Sequence, residues 1–294
     1  MPSTRPTTLA RLATLLVAAS LLSAVPARAA DPNPAREHLE QWRAAWLAQR
    51  GLVAAKTSPD PSVVGGGVAP AGSLPQVVAL LFKGIASNVD AQYCGGTLVG
   101  PRHVLTAAHC ADFLSADEIA VLVGTQDLRT GGQRVAVSAI TVHPNWNPNT
   151  LSSDVAVLTL ATPVNSIQPA LLIATTNVEA SVAPVGTSVT IAGWGDTGSG
   201  PSPQLRQGSL PVADPSTCAF DSTIMCAGAP SHQVGTCEGD SGGPLFVPTH
   251  RLSTRRVQIG VASFGFGGCG VPGFTDGFAR LATLGAWVKQ QLRP

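Results

Sequence analysis

The chain has 294 residues, 44% of them hydrophobic and 12% charged, with a formal net charge of +1 at pH 7. That supplies enough apolar material for a substantial core and excludes a disordered polyelectrolyte. With no long basic run and only 5% aromatic residues, the balance does not fit a nucleic-acid surface or an acidic polymer as partner.

The first segment reads as a secretory signal peptide over residues 1–29: Arg5 and Arg11 precede an apolar stretch from Leu12 to Val25, and Ala27-Arg28-Ala29 offers small residues for cleavage. A membrane anchor needs about 20 apolar residues, and this stretch is shorter and stops at Pro26. Export without a membrane span is the expectation. Residues 30–62 differ in composition. Glu37 to Leu47 carries helical apolar spacing, and Lys56-Thr57-Ser58-Pro59-Asp60-Pro61-Ser62 reads as a loose linker.

From Pro75 onward, short apolar or alternating runs recur between Gly, Pro, Asn and Ser punctuation. They are Gln76 to Phe82, Tyr93 to Val99, Ile119 to Gly124, Arg134 to Val142, Val155 to Leu160, Ser188 to Ala192, Pro244 to Val247 and Val257 to Phe264. This rhythm predicts an all-β fold and leaves a sandwich and a pair of barrels equally open. Thr162 to Val185 reads as a connection between halves, and Leu281 to Leu292 as a terminal helix.

The run Cys237-Glu238-Gly239-Asp240-Ser241-Gly242-Gly243-Pro244 offers one hydroxyl inside a glycine frame. A serine hydroxyl is a poor nucleophile at neutral pH, so the run calls for a histidine to take its proton and a carboxylate to orient that histidine. Candidates are His109, in Leu105-Thr106-Ala107-Ala108-His109-Cys110, and Asp154, in Ser152-Ser153-Asp154-Val155-Ala156-Val157-Leu158. Each type has an ordinary reading as well, and His38, His103, His143, His232 and His250 take it. Six cysteines in an exported chain, without C-x-x-C or H-x-x-x-H spacing, read as disulfides, not metal ligands, and leave many connectivities open. No metal or other cofactor is expected, and Gly124 to Gly132 lacks the paired carboxylates of a calcium loop.

At these three segments the chain resembles the trypsin/chymotrypsin family of serine endopeptidases, over roughly residues 63–294. The resemblance implies two six-stranded antiparallel barrels, roughly 63–165 and 180–280, with a terminal helix. It implies peptide hydrolysis through an acyl-enzyme, with Ser241 as nucleophile, His109 as base, Asp154 as its orienting carboxylate, and the N–H groups of Gly239 and Ser241 as the oxyanion site. Ser263 matches the residue that hydrogen-bonds the triad aspartate. The disulfides it implies are Cys94 with Cys110, Cys218 with Cys226, and Cys237 with Cys269.

The resemblance also makes residues 30–62 a propeptide, where the sequence alone allows an extension that stays attached. Val63-Val64-Gly65-Gly66 matches the N-terminus that the family exposes on activation, whose ammonium pairs with Asp240. The family usually has Arg or Lys before the cut bond, and here Ser62 stands there. Another protease is therefore expected to cut, or self-cleavage after Lys56 followed by trimming.

Gly235 occupies the place where trypsins carry the aspartate at the pocket floor, with Thr236 beside it. Asp276 replaces a glycine of the opposite pocket wall, and Gly265 keeps the entrance open. A negative charge moved from one wall to the other predicts a basic or broad preference at S1, and an exposed loop aspartate beside an apolar pocket is the competing reading. Phe264 replaces a more usual tryptophan. The partners implied are polypeptide substrates, with room for proteinaceous serine protease inhibitors, for a secreted monomer. A catalytically silent homologue on the same scaffold is the rival from another class. An esterase on an α/β-hydrolase fold would need the order Ser, acid, His, and no histidine follows an acidic residue after Ser241.

Overall fold

Apolar runs in the first half of the chain pair antiparallel and close on themselves. In the computed structural model these strands are β2 (Val77–Phe82), β3 (Gln92–Gly100), β4 (His103–Thr106), β5 (Ile119–Val123), β6 (Gln133–Val142) and β7 (Ala156–Leu160), joined in the ring order β2-β3-β4-β7-β6-β5. The structure describes residues 63, 65–196, 202–228, 234–248, 255–265, 269 and 274–293. The signal, helix and linker expected before residue 63 lie outside that set.

β2, β3 and β5 are buried along their whole lengths, and β2 and β5 accordingly read as continuous apolar runs. The barrel interior holds Val78, Leu80, Leu98, Leu105, Val121 and Leu158, all fully buried. Closure removes the unpaired edges that would otherwise invite association.

The second half forms a curved sheet in the order β1-β10-β9-β12-β13-β14-β11. Its strands are β1 (Gly67–Val68), β9 (Ser188–Gly193), β10 (Arg206–Pro211), β11 (Ile224–Ala227), β12 (Pro244–Val247), β13 (Val257–Gly265) and β14 (Asp276–Arg280). Past its last residues β10 meets β11 again. Val212 bridges Ala227, Ala213 N–H donates to the Cys226 carbonyl at 2.9 Å, and Gly228 N–H to the Pro211 carbonyl at 2.8 Å. The six strands from β10 to β11 thereby close into the second barrel, with β1 added outside on β10. The short β8 (Leu171–Leu172) runs parallel to β13, the one parallel pairing among the described strands.

The connection between halves also holds a helix, α2 (Thr176–Val182), after the short α1 (Asn88–Ala91) of the first half. Glu179 of α2 forms a bidentate ion pair with Arg280 at the end of β14. The terminal helix α3 (Leu281–Gln291) starts at the next residue and lays Leu281, Leu284 and Val288 on the first barrel's core and Ala282 on the second's. A third apolar cluster, with Ala79, Leu81 and Leu122 from one barrel and Ala192, Trp194 and Phe246 from the other, glues the two together. The turn carrying Ser241 packs against the stretch at the end of β4 that leads into the 3-10 turn carrying His109.

Three disulfides join Cys94 to Cys110, Cys218 to Cys226 and Cys237 to Cys269. Each closes a modest loop, contributing about 3 kcal/mol in the chain-entropy account. The first pins the turn after His109 to β3, and the third anchors the segment before Ser241.

Candidate active site

His109 sits in a 3-10 turn, Ala108–Cys110, directly after β4. Asp154 lies just before β7, the strand that pairs with β4, so the antiparallel register brings the ends of these two strands together. The carboxylate of Asp154 is completely buried and holds His109 twice. Oδ1 accepts the backbone N–H of His109 at 2.9 Å, and Oδ2 lies 2.8 Å from its Nδ1. The hydroxyl of Ser263, on β13, donates to the same Oδ2 at 2.5 Å.

Burial on its own disfavours a charged imidazole, but the charge and hydrogen bond of Asp154, with a contribution from Asp112, raise the pKa of His109 above its ordinary value. The carboxylate is thus placed to hold Nδ1 protonated and leave Nε2 as the proton acceptor.

The loop that delivers Asp154 is held under strain. Leu151 and Ser153 both have left-handed backbones, with φ of 56° and 58°. The Cys218–Cys226 loop clamps them. Ser152 Oγ bonds Asp221, and Ser153 N–H donates to Thr223 Oγ1 at 2.9 Å.

Ser241 is carried on the turn before β12. Gly95 N–H donates to its carbonyl at 2.7 Å, and Gly242 N–H to the Ala262 carbonyl at 2.8 Å. A side chain at Gly242 would run into the Thr106 hydroxyl and the Gly95 carbonyl and come to 3.2 Å from Ala107 N. The serine turn is therefore packed against Thr106, the last residue of β4, and Ala107, which lead into the histidine turn. The N–H groups of Asp240, Gly242 and Gly243 are used inside the protein. Among the described residues no acceptor takes those of Gly239 and Ser241.

Asp240 points inward. Its Oδ1 accepts Gly195 N–H at 2.8 Å and its Oδ2 accepts Cys237 N–H at 3.0 Å. Gly193 and Gly195 lie so close to the carboxylate that a Cβ at either would collide with it, so this residue type is required at both places. Burial pushes the Asp240 carboxyl up to about 7 against those two N–H bonds, and the charge of Asp276 adds to the rise. Val63, fully buried, shares a tight crevice without room for a water with Asp240, Ile191, Ala192, Thr236 and Gly243.

Asp276 opens β14, paired with Gly265 of β13 on one side and Ala227 of β11 on the other. The structure thus corrects the exposed-loop reading: the residue is buried in a strand. Its Oδ2 accepts the Thr236 N–H at 2.5 Å and the Thr236 hydroxyl at 3.0 Å. Burial pushes its carboxyl up to about 6, opposed by the Thr236 bonds. A Cβ on Gly265 would lie 3.1 Å from Asp276 Oδ1, and the Phe264 ring packs flat over Gly277. Asp276, Thr236, Gly265 and Gly235, the last just before Thr236, are therefore grouped around one wall, as their spacing in the sequence could not show.

Sequence reasoning missed Gln92, whose buried side chain reaches the Gly239 carbonyl, and Gly195, whose N–H holds Asp240. No local signal marks either, since both act through contacts with residues far along the chain. Two groups of close cysteine, histidine and glutamate atoms, Cys94-His109-Cys110 and Cys237-Glu238-Cys269, consist mainly of disulfide sulfurs, which are poor metal ligands. No helix among the described residues is long and apolar enough to cross a membrane.

The comparisons with known proteins agree with this geometry. The sequence model of the family described as Trypsin matches residues 63–288. Human serine protease 56 is 36% identical over 247 residues, which is 78% of this chain and 38% of that protein, so the chain spans well under half of this relative. Brachyurin of Leptuca pugilator is 33% identical over 78% of this chain and 98% of its own length. Trypsin beta of Drosophila erecta is 30% identical over 76% of this chain and 92% of its own. Two closed β-barrels, a buried aspartate gripping a histidine and a serine in a glycine-framed turn, joined with these matches, place the chain in the trypsin family of serine proteases.

Proposed function

We propose that the chain is a secreted serine endopeptidase that hydrolyses peptide bonds through an acyl-enzyme, with His109, Asp154 and Ser241 as its triad. His109 Nε2 takes the Ser241 proton as the oxygen attacks the peptide carbonyl, and the N–H groups of Gly239 and Ser241 hold the oxygen that becomes negative. His109 then protonates the leaving amine, and water repeats the cycle to release the acid. The carrying observation is the double grip of buried Asp154 on His109, through backbone N–H and Nδ1, beside a serine turn whose Gly239 and Ser241 N–H groups meet no acceptor among the described residues. A phosphonate that labels one Ser241 per chain, and leaves Ser241→Ala unlabelled, tests it. Absence of labelling in the mature protein sinks the reading in favour of a silent homologue.

Residues 1–29 act as signal peptide and 30–62 as propeptide, and the mature domain begins at Val63. The close packing of buried Val63 and Asp240 supports this, because a new ammonium at Val63 would lie near a buried carboxylate that has no cationic partner among the described residues. Ionising Asp240 unpaired is costly, so the ammonium can organise the neighbouring turn. N-terminal sequencing of the mature protein checks it, and a start anywhere but Val63 refutes the pairing.

At S1 we assign a basic or broad preference to Asp276. A carboxylate buried in the wall, with Gly265 leaving space in front of Oδ1, suits a guanidinium or ammonium from the substrate. A peptide library read with the native protein and with Asp276→Gly tests this. Profiles that coincide refute it.

A further inference from the structure

Gln92 opens β3, two residues before the disulfide at Cys94, and its side chain is buried between the two barrels. Its Nε2 donates to the carbonyl of Gly239 at 2.8 Å and to that of Cys94 at 3.2 Å. Gly239 has a left-handed backbone with φ of 90°, and a Cβ there would come to 3.1 Å from Gln92 Oε1 and 3.2 Å from Gly195 Cα. A glycine rotates easily, so the direction of its N–H depends on what holds the peptides on either side.

Both peptides are held. The one joining Glu238 to Gly239, which carries the Gly239 N–H, is anchored at its carbonyl by Asp196 N–H at 2.7 Å. The one joining Gly239 to Asp240 is anchored at its N–H by the Cys237 carbonyl at 3.0 Å and at its carbonyl by Gln92. Gln92 is the one side chain among these three anchors, and the one that comes from the first barrel.

We infer that Gln92 is a positioning residue for the oxyanion site: by holding the carbonyl of the Gly239–Asp240 peptide it limits rotation at Gly239, so that the Gly239 N–H, whose own peptide Asp196 anchors, aims at the oxygen developing on the substrate. The inference rests on the reading of Ser241 as nucleophile. A neutral amide suits this place, because a methionine offers no donor and an ionised glutamate would face the carbonyl oxygen with negative charge. An oxyanion donor acts by where it points in the transition state, so a small misdirection lowers kcat while ground-state binding survives.

The test uses the mature protein with Gln92→Met and Gln92→Glu. It reads kcat and KM on a peptide amide, and Ki for a peptide aldehyde and for the matching peptide alcohol. The aldehyde forms a hemiacetal with Ser241 whose oxygen needs the Gly239 N–H, while the alcohol fills the same subsites without it. Expected is a fall in kcat of about tenfold, below the ~100-fold or more lost with a whole oxyanion donor. The aldehyde Ki rises in the same proportion, while KM and the alcohol Ki stay unchanged. Either variant, if folded, decides the matter, and Gln92→Glu keeps size and polarity should Gln92→Met fail to fold. Unchanged kcat and aldehyde Ki overturn the inference, as does parallel loss of aldehyde and alcohol binding, which marks general damage. A native protein that does not react with the phosphonate overturns the endopeptidase reading and this inference together, whereas a reactive native protein with indifferent Gln92 variants overturns this inference alone.

Discussion

Asp240 and Asp276 are tied to neighbouring residues of one turn: Cys237 N–H donates to Asp240 and Thr236 N–H to Asp276. Two buried carboxylates, one assigned to activation and one to substrate choice, thus hang from consecutive amides. The negative charge of Asp276 also makes Asp240 harder to ionise.

Substrate preference should depend on pH. With its carboxyl at about 6, Asp276 is mostly neutral below that pH and ionised above it. The ratio of kcat/KM for a substrate with Arg at P1 to one with Phe should rise as pH climbs from 5 to 7 and then level off. Taking the ratio cancels the titration of His109, which both substrates share. A ratio flat from 5 to 8 would contradict the pocket assignment.

The uncleaved chain should weaken as pH rises. Both folded carboxyls titrate above their ordinary value, Asp240 at about 7 and Asp276 at about 6, so the folded state binds more protons than the unfolded one between about 4 and 7. Their contribution is present below about 4 and lost as pH climbs through 6 to 7. Thermal unfolding of the unprocessed Ser241→Ala chain should show Tm falling over that window. Asp240→Asn, with no charge to bury, should flatten the slope whatever its effect on Tm at any one pH.

Removing the support of the carboxylate should cost rate, not binding. Asp154→Asn should lower kcat by about 10⁴-fold, the size of loss expected when a serine-histidine pair is left with the wrong tautomer. Ser263→Ala removes only one donor to Asp154 Oδ2, so a fall of roughly threefold to tenfold is expected, near 1 kcal/mol. Steady-state kinetics with KM unchanged would fit. A rise in KM alone would mean that Ser263 serves substrate binding instead.

The clamp on the Asp154 loop should be measurable as stability. Left-handed residues of this kind cost about 1–3 kcal/mol each and persist only where their surroundings hold them. Asp221→Ala releases Ser152, the Thr223 N–H and the Thr223 hydroxyl together. Calorimetry should show Tm lowered by several degrees, with kcat/KM reduced as Asp154 loses definition. An unaltered Tm would show that the strain is borne elsewhere.

Part of the first barrel could be read in advance because two of its strands, Val77–Phe82 and Ile119–Val123, are buried along their length and appear as unbroken apolar runs. Six of the described strands escaped, among them the short apolar His103–Thr106 and Ile224–Ala227, and two longer ones have mixed sequences. Asp276–Arg280 holds two charges and a glycine, and Arg206–Pro211 holds arginine, glutamine, glycine and serine, so neither shows the run or alternation that marks a strand. Their burial comes from neighbours supplied by other parts of the chain.

The pairing of His109 with Asp154 could be anticipated because a serine in a glycine frame calls for partners of defined chemistry, and the cysteine beside His109 narrowed the choice. The sequence by itself determined the family, the all-β class and, through the family resemblance, the disulfide pairing. Only the tertiary structure decided that Asp276 is buried against Thr236, that Gln92 and Gly195 grip the turn before Ser241, and that the second sheet closes at Val212 and Ala227. The physical reason is range. A nucleophile's requirements are chemical and show in residue type, whereas burial, charge environment and the aim of an N–H group are set by atoms that become neighbours only once the chain has folded.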